Sequence, residues 1–300
     1  MRRTVTFAAS LALLAVACTS TPAGVRSSGG PGTIVVGVSG AFAENQLVAE
    51  MYAQVLEHAG YTVQRQFDLT SREVSQNALE SGQIDLKPEY LSSLLRFLDA
   101  RGVPSNDPAV VADRDRVLLE PKGISVLEPS PAQDTNVFVA NAQTAQTFGL
   151  TTMTSLAAQA NHLIFGGPPE CPQRPFCLTG LKDVYGIVFD DFVPLDAGGP
   201  QTVEALETDD VQVGLLFSTD PSISANGFVP LIDDRHLQDA ENLTPVIRTA
   251  MLDDEVRSAL DGVSAKLDTA NVTSMVGKVT VDGEDIATVA HDFLAANGLV

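Results

Sequence analysis

Ser39 is flanked by glycines in Gly37-Val38-Ser39-Gly40-Ala41, where an apolar strand should turn into a helix. An exposed serine on such a turn is the layout of a hydrolase nucleophile elbow. That motif needs its second glycine two residues after the serine, and position 41 is Ala. The four histidines, His58, His162, His236 and His291, are scattered and lack the i, i+2 or i, i+4 spacing of metal ligands. The acidic pairs Asp190-Asp191 and Asp233-Asp234 fall at expected strand ends, where carboxylates are usually solvated. Neither a phosphate-cradling glycine loop nor a dinucleotide fingerprint occurs. We therefore expect no enzyme, no metal and no cofactor. What the Ser39-Gly40 turn retains is a set of backbone N–H groups able to face a ligand.

Sulfur chemistry is more informative. Cys171 and Cys177 enclose Pro172-Gln173-Arg174-Pro175-Phe176, with no further Cys or His nearby to complete a metal site. In an oxidising compartment such a pair is expected to form a disulfide. A loop this short should stabilise by less than the ~3 kcal/mol of a 15-residue loop, so it reads as a local staple that fixes Arg174. Cys18 follows Arg2, Arg3, an apolar run over 7–16 and the small residues Leu14-Ala15-Val16-Ala17. A basic start, a short apolar run and small residues describe an export signal, and the run is too short to span a bilayer stably. A Cys in this place resembles the lipobox of bacterial lipoproteins, whose thiol receives diacylglycerol and becomes the new N-terminus. Ala15 stands where Leu is more usual. We expect a signal peptide over 1–17 and a lipidated flexible tether over 18–32, rich in Ser, Thr, Pro and Gly. The mature chain would work outside the cytoplasm, attached to the cell membrane by lipid.

The formal net charge of −20 becomes −22 once Arg2 and Arg3 leave with the signal. Without a basic stripe to neutralise phosphates, nucleic acid is excluded as a partner, and electrostatic binding to anionic lipid is disfavoured. An acidic surface keeps a tethered protein soluble and attracts cationic solutes. Hydrophobic content of 44% suits a globular chain, and about 280 mature residues suffice for one large domain or two lobes.

The elements that must position any site follow from periodicity. Residues 33–38 read as a buried strand, 43–59 as a helix with Leu47, Met51 and Val55 on one face, and 61–67 as an alternating strand. Thr70-Ser71-Arg72-Glu73 reads as a capping box opening a helix that Gly82 stops, and 84–86 as a strand. Two helices are expected across 91–120, separated by 102–108. Further strands are expected at 124–127, 136–141, 163–165, 187–195, 211–217 and 228–232. Helices should cover 178–185, 202–208 and the tail beyond 253, ending in 285–297. This repeated βα rhythm predicts a mainly parallel sheet clothed by helices, built twice. A ligand cleft is expected where the carboxyl ends of the strands face each other.

Gly82-Gln83-Ile84-Asp85-Leu86-Lys87-Pro88-Glu89-Tyr90 resembles the Gly-x-Ile-Asp-x-x-Pro-Glu-Tyr segment of the osmoprotectant-binding proteins of ABC importers. Phe165-Gly166-Gly167-Pro168-Pro169-Glu170, then Arg174, Gly180-Leu181-Lys182, Tyr185-Gly186, Phe217-Ser218-Thr219-Asp220 and Pro245-Val246-Ile247-Arg248 follow in the family's order. The resemblance runs from Ile34 to Leu299. It implies an α/β, two-lobe periplasmic-binding-protein-like fold of type II with two hinge crossings, near Asp134 and Asp220. Lobe 1 would hold 33–133 and 221–300, and lobe 2 would hold 134–220. It also implies a monomer that closes on a quaternary amine such as glycine betaine, choline or carnitine. That solute would pass to the transmembrane permease and ATPase of the importer.

The family's ligand site carries over residue by residue. Tyr90 matches a cage tyrosine and Phe217 stands at another cage position, keeping the ring without the hydroxyl. Ser93 matches a hydroxyl contact to the ligand tail, Asp134 an acidic residue of the crossing, and Arg174 the arginine that binds a carboxylate tail. Asn136 and Glu241 replace two aromatic walls, and Gly40 stands where a lysine is frequent, beside Ser39. A trimethylammonium group donates no hydrogen bonds and is held by aromatic faces, at ~0.5–1 kcal/mol each when exposed and about 2 when desolvated. With aromatic walls and a tail contact missing, Glu241 and Asp134 favour a choline-like cation over glycine betaine. Alternatively Asn136, Glu241 and Asn242 could hydrogen-bond a polyol or phenolic ligand, or the fold could serve a sensory or interaction lipoprotein.

Overall fold

Strands and helices alternate along the chain and assemble into two five-stranded sheets. The computed structural model describes residues 32–39, 43–99, 101 and 105–300; the expected signal peptide, Cys18, the tether up to Pro31 and Gly40 lie outside the described residues. The strands are β1 (Thr33–Ser39), β2 (Thr62–Leu69), β3 (Leu86–Tyr90), β4 (Ile124–Val126), β5 (Asn136–Ala140), β6 (Ile164–Gly167), β7 (Asp191–Pro194), β8 (Val213–Phe217), β9 (Val229–Pro230) and β10 (Leu243–Arg248). The first sheet has the order β2-β1-β3-β10-β4 and the second β7-β6-β8-β5-β9. Within each, four strands run the same way and one, β10 in the first sheet and β5 in the second, runs against them.

β1 shows why such strands read as unbroken apolar runs. Ile34, Val36 and Val38 pack to one face while Val35 packs to the other, so both faces need apolar side chains. The helix Ala43–His58 covers the first face. It buries Val48, Ala49, Tyr52 and Leu56 as well as the expected Leu47, Met51 and Val55. The reason is that the helices Asp254–Ser264 and Ile286–Ala296 close over its far side, making it an interior helix. Each such fully buried aliphatic side chain contributes ~1.5–3 kcal/mol. The second sheet likewise has an apolar cluster on each face, one around Phe138, Phe165 and Leu181, the other around Val139, Leu206 and Leu216.

Local details refine the expected elements. Ser71 caps the helix Arg72–Ser81 by accepting from the Val74 N–H, so Glu73 is not in the reciprocal position and the expected capping box does not form. Gly82 ends that helix at φ 78°, as expected. The Leu178–Tyr185 region is one short helical turn, Leu178–Gly180, followed by a wider turn over Leu181–Tyr185 that Gly186 closes. Cys171 and Cys177 are joined in a disulfide beside it.

The chain leaves the first sheet between β4 and β5 and returns between β9 and β10. Gln133 and Asn242 form an antiparallel bridge, and the Asp134 N–H donates to the Glu241 carbonyl at 3.1 Å. The two crossings therefore run side by side. This moves the second crossing from Asp220 to Glu241–Asn242. Just before Asp220 the chain touches the first half, where the Thr273 hydroxyl reaches the Ser218 carbonyl. It then rejoins the second sheet through β9, and Leu231 and Leu237 enter that sheet's core. Ile223, Phe228, Leu231 and Leu237 thus pack in the second half's cores and not in lobe 1, and the chain has rejoined the first half by Ala240. Among the described residues no helix is long and apolar enough to cross a membrane.

Candidate functional site

A cavity of about 1530 Å³ opens between the two sheets, with the crossings among the segments that line it. Its inner end is built from strand termini. Tyr90 is the last residue of β3 and opens the helix Leu91–Leu98, so its ring stands at a strand's carboxyl end. Across the cleft, Asn136 at the start of β5 is paired with Phe217 at the end of β8, and both line the cavity. The helices Pro200–Glu207 and Thr269–Thr280 also contribute to the lining.

The Tyr90 hydroxyl donates to Glu44 Oε1 at 2.5 Å. Glu44 lies in the first turn of the helix Ala43–His58 and is buried. Thr219 is close to it, but its hydroxyl donates to Asp134 Oδ1 at 2.9 Å, and Glu44 Oε2 has no partner. Burial, then the charge of Asp134, push the Glu44 carboxyl up to about 7, against the hydrogen bond from Tyr90. Burial also raises Asp134. The Tyr90 hydroxyl is driven far above its ordinary range by burial, then by Glu44 and Asp134. Neither Glu44 nor Asp134 has an ion-pair partner among the described residues.

The cations at this end are already engaged. Arg72 donates Nε to the buried Glu89, which also accepts from Lys87 Nζ at 2.7 Å. Arg96 pairs with Asp239 and lies 3.6 Å from Glu241. In all, eight carboxylates and three cationic side chains line the cavity, which sets its potential firmly negative.

Of the residues singled out by sequence, Tyr90, Ser93, Asp134, Asn136, Phe217 and Glu241 line this cavity. Ser93 has a different partner from the one expected: its N–H and hydroxyl both hold the Glu241 carboxylate, at 3.0 Å each. Asn136 Nδ2 sits 3.5 Å from Gln238 Oε1. Arg174 does not reach the cavity. It is exposed on the disulfide loop, 3.8 Å from Glu170, because the staple turns it outward. Asn242 is buried in the crossing and donates to the Ser130 carbonyl at 2.9 Å, a structural bond that takes it out of the site. Ser39 ends β1, half-buried, and is not part of the cavity wall. Sequence reasoning missed Glu44, Arg72, Arg96 and Phe176. Glu44 carried a usable signal, since it opens the helix after the first strand, on the ligand side of an α/β sheet. Phe176, between Pro175 and Cys177 in a stapled loop, carried another.

Residues 32–296 match the family described as the substrate-binding domain of the ABC-type glycine betaine transport system. The chain belongs to this family. Its members are substrate-binding transport proteins and not enzymes, and they work outside the cytoplasm. The chain is 27% identical over 271 residues to the glycine betaine-binding protein YehZ of Escherichia coli (strain K12), covering 85% of this chain and 88% of that one. It is also 27% identical to a glycine-betaine-binding protein of Pseudomonas aeruginosa, over 86% of each chain. Among solved structures, a glycine betaine/carnitine/choline ABC transporter protein superposes with a TM-score of 0.81 at 21% identity, over 90% of this chain and 99% of that one. A choline-binding ABC-transporter protein in complex with choline superposes at 0.56 with 16% identity, over 89% of each chain. These likenesses show the two-lobe, type II binding-protein fold.

Proposed function

We propose that this family member is the solute-binding lipoprotein of an ABC importer and captures a choline-like quaternary amine between its halves. The observation that carries the reading is the Tyr90–Glu44–Asp134 cluster. A buried Glu44 and a half-buried Asp134 without a cationic partner are costly, and a permanent cation placed between the Tyr90 and Phe217 rings would offset that cost. At the Tyr90 end of the cavity a ligand carboxylate finds no equivalent welcome, since Arg72 and Arg96 there are committed to Glu89, Asp239 and Glu241. The names of the relatives, glycine betaine-binding and choline-binding, bracket the same chemical class.

The polyol or phenolic alternative has less support, because Glu241 and Asn242 are occupied by Ser93 and Ser130. The cavity exceeds the ~300–1,000 Å³ of a typical small-molecule pocket, so capture requires the halves to approach. Rotation about the paired crossings at Gln133–Asp134 and Glu241–Asn242 would do this, shifting the population toward a closed form that docks on the permease and its ATPase. In this reading the protein acts as a monomer held to the membrane through lipid on Cys18.

Titration calorimetry of the mature protein against choline and glycine betaine at pH 8 tests the reading. Choline should bind at least about tenfold more tightly, a difference of ~1.4 kcal/mol. Equal or tighter binding of glycine betaine would contradict it.

A further inference from the structure

Phe176 belongs to none of the apolar clusters, although it sits beside the second core. Its ring lines the cavity instead. The surrounding chain holds it there: the Cys171–Cys177 disulfide closes the loop, and Gln238 Nε2 donates to the Phe176 carbonyl at 3.0 Å. An aromatic ring held on a stapled loop, outside the apolar clusters of the described residues and lining the cavity, is placed for contact with something that enters the cleft. One face of the ring is taken by Arg96, whose guanidinium carbon lies 4.7 Å from the ring centroid. Arg96 projects from the helix that Tyr90 opens, so this contact spans from the first half to the second. Its charge is balanced by Asp239 and Glu241 on the returning crossing.

We infer that Phe176 is a further aromatic wall of the ligand site and that Arg96 is a built-in competitor cation, standing on that wall until a ligand displaces it. The inference rests on the quaternary-amine reading and deepens it. One ring face accommodates one cation at cation–π distance, so a ligand ammonium that uses the face under Arg96 gains it as Arg96 gives it up. Arg96 thereby sets both affinity and selectivity, since a weakly held or poorly fitting cation cannot exchange for it.

Calorimetry with choline chloride on four proteins, wild type, Arg96→Met, Phe176→Leu and the double variant, tests this. Methionine keeps the packing stem over the ring and removes the charge. Arg96→Met should tighten choline binding about tenfold, ~1.4 kcal/mol. Phe176→Leu should weaken binding more in the Arg96→Met background than in wild type, where the ring is already occupied. Unchanged or weaker binding by Arg96→Met, or a Phe176→Leu effect absent in both backgrounds, would overturn the inference. Should Arg96→Met not fold, as judged by circular dichroism, Phe176→Leu alone decides: a several-fold loss supports the wall and no loss removes it. If wild type itself fails to bind choline, the quaternary-amine reading falls and this inference with it. If wild type binds and the variants do not shift as stated, only this inference falls.

Discussion

Glu44 combines a buried position, a hydrogen bond from Tyr90 and a free second oxygen, and these make it sensitive to pH in a defined direction. Its carboxyl titrates near 7 in the fold and near 4.5 when exposed, so the empty protein loses stability as pH rises from about 4.5 to about 7. A bound cation reverses the preference, because it favours the ionised form. Choline affinity should therefore rise as pH increases through about 7. In Glu44→Gln that rise should vanish and affinity at pH 8 should drop about tenfold, which calorimetry across pH 5.5–8.5 would check. An unaltered pH profile would remove Glu44 from the site. Asp115 is a second buried carboxyl, with both oxygens unpartnered, raised to about 8 by burial first and by Glu89 and Glu241 next. Being raised, it costs stability progressively between about pH 4 and pH 8. Asp115→Asn should raise the melting temperature at pH 8 by several degrees and hardly at all at pH 4.5, as seen by calorimetric melting. At this scale the place of Tyr90, Asp134, Asn136 and Phe217 on the cavity wall was legible through the motifs shared with the family, and Tyr90 and Phe217 do end strands. Arg174 and Asn242 were not, since which way a loop side chain turns depends on packing that no local pattern encodes.

The elements that carry the site follow the same logic one level up. The strand–helix alternation of the first 90 residues and the capping glycine at Gly82 could be read directly, because apolar period and positive φ are local properties. β10 could not. A proline argues against a central strand, yet Pro245 sits in one, opposite Pro88 of β3. The ladder tolerates it because the Pro245 carbonyl still accepts from Leu127, while the Leu127 carbonyl is satisfied by the Thr244 hydroxyl and Arg116. Gly180 shows the reverse dependence of a loop on one residue. A Cβ there would lie 1.9 Å from the Pro175 carbonyl oxygen and 2.5 Å from Leu237. Gly180→Ala should displace the disulfide loop that presents Phe176, costing roughly 1–3 kcal/mol in chemical denaturation. It should also weaken choline binding in the folded fraction. A variant of wild-type stability would show that the loop has slack which the packing does not indicate.

At the scale of the whole molecule, two sheets each covered on both faces cannot merge into one core, and the cavity between them is the consequence. In the proposed reading the paired crossings would let one half turn on the other, and a solute that touches both halves would hold them together. The two-lobe architecture was legible from the repeated βα rhythm and from the resemblance of its motifs. The place of the second crossing was not, because the chain returns to the first sheet only after lending β9 and its apolar neighbours to the second. The most direct test is a crystal structure of the mature protein grown with choline. It should show the quaternary nitrogen within about 6 Å of the Tyr90 and Phe217 ring centroids, with Glu44 and Asp134 beside it and the halves drawn together. A choline bound away from Tyr90, or a cleft left vacant at saturating choline, would contradict the account.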